Sequence, residues 1–173
     1  MKRILFLFLS VLILATMPAS AQYSNFHTEH IGEIVFAAEP IMPGKEENQN
    51  FKKQFSANEP VFAMAYFEKP FNQLAEKNYL GITVWVDGQK QPLTFTKPSA
   101  EKRYAYYFIK NQYKDKANYP LEIKPSVQYA TNEVEVEGWA HFLKTLSPEE
   151  HVLKIQLRHP GGVLAQGMLK LDW

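Results

Sequence analysis

The sequence predicts an all-β fold, a single antiparallel β-sandwich of about eight strands with one short helix. Short apolar or alternating stretches recur along the chain, and turn residues separate them every ~8 to 15 positions. Only residues 139–146 place apolar side chains at helical spacing. No segment repeats another. A chain of 173 residues suits one domain, and 46% hydrophobic content with 12 Phe is too apolar for a disordered chain.

The apolar residues are unevenly spread. Lys2 and Arg3 precede a run at 4–15 (ILFLFLSVLILA). Pro18 follows, and then the small residues Ala19, Ser20 and Ala21. This is the three-part pattern of a secretory leader cut after Ala21, leaving 22–173 as the domain. The run falls short of the ~20 apolar residues that span a bilayer, which disfavours an uncleaved anchor. Cleavage would remove two of the 19 basic residues and none of the 18 acidic ones, leaving a near-neutral chain.

Each later element has its own warrant. Residues 22–30 are polar and read as a loose leader to the first strand, 31–37 (IGEIVFA). Residues 40–58 carry prolines and charges and read as the longest exposed loop, with a helical turn around 51–55. Residues 61–67 (VFAMAYF) are apolar at every position, as in a strand buried on both faces. Residues 70–78 read as a loop or one helical turn. Residues 80–86 and 93–96 form the clearest hairpin, turning within Asp87-Gly88-Gln89-Lys90. Asp-Gly at the centre would give a type I′ turn and Gly-Gln a type II′ turn. The second register pairs Val84 with Leu93, Ile82 with Phe95 and Asp87 with Lys90, and is preferred on that matching.

Residues 104–110 (YAYYFIK) read as a strand. Residues 121–123 and 127–129 are short strands cut by Pro125, which marks an edge. Residues 133–138 alternate acid with Val134 and Val136. Residues 139–146 form the short helix, and 152–158 alternate with Leu153, Ile155 and Leu157 inward. Leu169, Leu171 and Trp173 share a face of the last strand. The stretch WAHFLKTLSPEEHVLKIQLR resembles the corner of an immunoglobulin-like domain, where a short turn leads into a central strand. That resemblance implies an immunoglobulin-like sandwich only in the broad sense, because the cysteine–tryptophan–cysteine core is absent. The terminal Trp173, preceded by apolar residues at alternate positions, also suits an outer-membrane barrel. Barrel strands need ~9 to 11 residues, longer than most stretches here.

Function narrows by exclusion. With Cys at 0, thiol nucleophiles, disulfide scaffolds and zinc–thiolate sites are ruled out. The charge of +1 gives no basic signature for nucleic acid. Nucleophile-elbow, phosphate-loop and His-Glu-x-x-His motifs are missing. Ser147, next to Pro148, fits a turn or a helix cap better than a nucleophile. His27 and His30 flank Glu29 but would face one way only on a helix, so a mobile tail is favoured over a metal site. His141, His151 and His159 read as structural. Glu133, Glu135 and Glu137 read as a solvated strand face rather than a glycosidase pair.

Aromatic residues make up 14% of the chain, which is its one unusual feature. Large rings fill cores, and on a sheet surface they also stack on sugars or anchor partners. Trp85, opposite in phase to its hairpin's apolar face, is the leading candidate for binding, with Tyr104 and Tyr107 beside it in rank. The expected function is a secreted or periplasmic, non-catalytic module. It would recognise a protein or glycan of the envelope or extracellular space through a sheet face or the 43–58 loop. No cofactor, metal, nucleic acid or transmembrane segment is expected. A hydrolase using Glu or His, or an accessory subunit of an envelope assembly, is the alternative.

Overall fold

The computed structural model describes residues 23–74, 79–91, 106–108, 111–124, 139–140, 142–159 and 161–173. The expected leader at 1–21, the stretches at 93–96, 127–129 and 133–138, and Tyr104 lie outside the described residues. Among the described residues there are nine strands in two sheets, one antiparallel and one mixed.

Before the first strand lies a helix, α1 (Asn25–Glu29), where the sequence pattern predicts a loose leader. Ser24 caps it, its Oγ accepting from His27 N–H at 3.1 Å. Strand β1 (Ile34–Ala37) starts later than expected, and Ile31 is exposed. In the 40–58 loop the helical turn falls at Glu46–Asn48, not at 51–55. Phe51 instead bridges Ala37, and Gln54–Phe55 form the short strand β2. Strand β3 (Val61–Tyr66) is buried along its whole length, as its uniform apolarity predicts.

A short helix α2 (Phe71–Leu74) then leads to β4 (Tyr79–Val86), β5 (Gln89–Lys90), β6 (Tyr106–Phe108) and β7 (Asn118–Lys124). The backbone is helical at Trp139, Ala140, Phe142 and Leu143, within the expected 139–146 helix. Two long strands, β8 (Glu150–His159) and β9 (Gly162–Asp172), end the chain.

The smaller sheet has the order β1-β3-β7 and is antiparallel, with β7 at its edge. The larger has the order β2-β9-β8-β4-β5, and β6 also pairs with β4. Strand β2 runs parallel to β9, so this sheet is mixed rather than wholly antiparallel. One buried cluster draws on both sheets. It joins Ala63 and Ala65 of β3 and Leu121 of β7 to Val84 of β4, Ile155 of β8 and Leu169 of β9.

The other side of the small sheet has a core of its own, with Ala37, Ile41, Met64 and Tyr66 packed by Phe26 of α1 and by Phe51. Residues 61, 63 and 65 of β3 therefore serve one core while 64 and 66 serve the other. This is why a strand with no polar position folds stably.

The two sheets meet where β1 begins. Glu33 bridges Gln166 of β9 in parallel before β1 leaves to pair with β3. A Cβ at Gly167 would collide with Ile34 O and the Phe36 ring, so only glycine lets β1 cross β9 there.

The hairpin register differs from the preferred one. Trp85 pairs with Lys90 and Val86 with Gln89, so Asp87 and Gly88 form the turn. Both have positive φ, 51° and 81°, as a type I′ turn requires. Side-chain matching alone favours the other register, and the ties from Asp87 to β8 outweigh it. The Asp87 N–H donates to Val152 O, and its carboxylate accepts from Val152 N–H.

Candidate functional site

Alternation along β4, β8 and β9 turns one face of the large sheet away from the core. Its central row crosses four strands in register, Lys90, Trp85, Lys154 and Met168. Trp85 is partly exposed, and Lys154 Nζ sits over its ring, 5.4 Å from the centroid. Met168 is 57% and Val152 39% exposed, and together with Gly88 they line a shallow depression beside Trp85. The next row is polar, with Thr83, Gln156 and Gln166, and Gln156 donates to Gln166 at 2.9 Å. An apolar patch ringed by cations and amides is a surface suited to binding rather than to packing.

The depression adjoins a larger groove of about 450 Å³ that shares Lys154 and Met168. Its far wall comes from the start of β1 and from Phe51, Lys52 and Lys53 of the long loop. Lys52 is already engaged by Glu59 at 2.6 Å, a contact that holds the Glu59 carboxyl below its ordinary pKa. The sheet face and the long loop, two surfaces expected separately from the sequence, thus meet in one concavity.

Of the other sequence candidates, Tyr107 registers with Leu80. Leu80 is five positions along β4 from Trp85, about 16 Å of strand, so the backbone sets Tyr107 well away from the Trp85 row. Tyr104 lies outside the described residues.

The N-terminal histidines are placed by α1. His27 is buried, stacked on Tyr23 at 4.2 Å between centroids, and its Nε2 lies 2.9 Å from Phe67 O. His30 stacks on Phe26 at 3.9 Å, and its Nδ1 lies 2.8 Å from Phe26 O. Tyr66 contacts both rings and donates to the buried Glu46 at 3.2 Å. Burial, and then the negative charge of Glu46, push the Tyr66 phenol above its ordinary pKa. The sequence does contain a signal for this cluster. Tyr23, Phe26, His27 and His30 follow helical spacing once histidine is counted as a ring rather than as a charge.

A second constellation is invisible in the linear sequence. His151 Nδ1 lies 2.7 Å from Asp87 Oδ2, and its Nε2 lies 3.3 Å from Ser147 Oγ. The residue types are those of a serine hydrolase, but the proton inventory is not. Nε2 is also 3.0 Å from Ser147 O, a carbonyl that can only accept. Both ring nitrogens therefore donate. The hydrogen bond to Asp87, foremost, raises the His151 pKa and favours the imidazolium. Ser147 Oγ donates to Glu149 at 2.5 Å. With its proton on a carboxylate and both ring nitrogens of His151 facing acceptors, Ser147 does not face the imidazole lone pair that activates the serine of a Ser-His-Asp triad.

Among the described residues there is no group of three metal-ligating side chains, and no helix is long and apolar enough to cross a membrane. No family of known proteins, no curated protein and no solved structure matches the chain.

Proposed function

We propose that this chain is an exported, non-catalytic binding module of β-sandwich type. It recognises a protein or glycan of the cell envelope or extracellular space through the outer face of its larger sheet. The observation that carries this is the Trp85–Lys154–Met168 row and the groove it adjoins. Large apolar side chains left exposed next to a concavity cost solubility unless a ligand covers them. Export is supported by the basic head, apolar run and small-residue site of residues 1–21. The sandwich reading is supported by one core shared between two sheets.

The test is Trp85→Ala assayed by capture of envelope glycans and proteins, with unchanged thermal unfolding as the fold control. The expected result is loss of capture. Unchanged capture by the folded variant would overturn the assignment of this face.

A hydrolase is the second reading, favoured only by the contacts among Ser147, His151 and Asp87. It predicts cleavage of an activated ester that disappears in Ser147→Ala. The proton inventory predicts no difference between the two proteins.

A further inference from the structure

The groove beside Met168 adds a specific chemistry to the binding face, and its assignment rests on that face being one that binds. Gln166 N–H donates to Gly32 O at 2.9 Å, and Lys170 N–H donates to Lys53 O at 2.7 Å. Both bonds leave β9 on the edge away from β8. Backbone groups alternate sides along a strand, so Met168, midway between them, turns its N–H and C=O to the same edge. Neither flanking segment has a residue in register with Met168: β2 registers from Lys170 onward, and the β1 bridge is at Gln166. The groove floor therefore carries the N–H and the C=O of Met168, beside the Ile34 carbonyl, in a gap one residue wide that is too short to admit another strand.

We propose that this groove takes the carboxylate of an anionic sugar ring, so that the ligand of the Trp85 face is a glycan containing uronic acid. The N–H of Met168 supplies a donor of fixed direction, and Lys53 and Lys154 supply charge, against the single lining acid Glu33. Lys52 is spent on Glu59. The ammonium of Lys154 rests on the Trp85 ring. A neutral sugar stacking there would displace the cation and offer it only uncharged hydroxyl acceptors. A sugar bearing a carboxylate gives it a new partner within the same ligand. From Trp85 on β4 to Met168 on β9 is two interstrand spacings, about 10 Å, so the stacked ring and the carboxylate belong to different units of one oligosaccharide.

The experiment is calorimetric titration of the protein with trigalacturonate, with its fully methyl-esterified form and with a tetraglutamate peptide. Trigalacturonate is expected to bind, with the ester at least tenfold weaker. Binding should weaken between about 50 mM and about 500 mM salt. Lys53→Ala and Lys154→Ala, at exposed or half-exposed positions, should each weaken it by about fivefold, the size of a well-placed surface ion pair. Trp85→Ala should abolish it. Equal binding of acid and ester, with Trp85→Ala still abolishing both, would overturn the anionic preference and leave the binding face standing. Binding of tetraglutamate but not trigalacturonate would overturn the ligand class. No binding of either sugar, with capture of envelope material that still needs Trp85, would overturn the carboxylate site alone. The same silence with capture indifferent to Trp85 would overturn both readings.

Discussion

Single atoms decide two places in this molecule. At Gly167 an added Cβ would meet the backbone of Ile34, which cannot move without shifting β1. Gly167→Ala is expected to cost about 1 to 3 kcal/mol, as overpacking does. Urea unfolding measures it, and a loss below about 0.5 kcal/mol would mean that β1 does not press on β9. The second place is the Asp87–His151 contact. The His151 pKa is raised from 6.5, so its contribution is complete below that value and is lost as pH climbs through the folded pKa. The Asp87 pKa is lowered from 3.8, chiefly by the His151 hydrogen bond, so its contribution is complete above that value and is lost as pH falls. Stability is therefore best supported between 3.8 and 6.5 and declines on either side. Asp87 is half exposed, which limits the effect to about 1 kcal/mol or less. Thermal unfolding across pH should fall less steeply on the alkaline side for Asp87→Asn than for the parent protein. Parallel curves would contradict the pairing.

Elements show which sequence signals were legible and which were not. Strands 61–67, 152–158 and the last strand follow their apolar pattern because the pattern and the burial have the same cause. The full apolarity of 61–67 also required something to cover its second face. That cover proved to be α1 and Phe51, in segments whose polar composition hid a ring-bearing stripe. Ser24→Ala removes the α1 cap and is expected to cost about 1 kcal/mol. Hydrogen exchange at the backbone amides of His27 and Thr28 should quicken, while exchange in β8 stays unchanged. In the hairpin, cross-strand matching favoured the wrong register because the deciding contacts come from Val152, 65 residues away in sequence. Gly88, with φ at 81°, then takes a conformation that side chains resist. Gly88→Ala should destabilise by about 1 kcal/mol, read from the unfolding midpoint.

At the scale of the whole molecule, the candidate site joins parts that the linear sequence keeps far apart. Trp85 stood out by its phase in the strand, which is a local signal. Its partners did not, because Lys154, Met168 and Lys53 become neighbours only through strand order and through the crossing of β1 over β9. The Ser147–His151–Asp87 contact escaped sequence reading for the same reason, with a separation of 64 residues between its acid and its histidine. A partner that binds the outer face of the larger sheet must perturb that face first. Backbone amide shifts, recorded while captured envelope glycan or protein is added, read this residue by residue. The largest changes are expected at Trp85, Val152, Lys154 and Met168, with little change at Tyr66 or at the β7 edge. Changes centred on β7 or α1, with the Trp85 row silent, would contradict the assignment of the binding face.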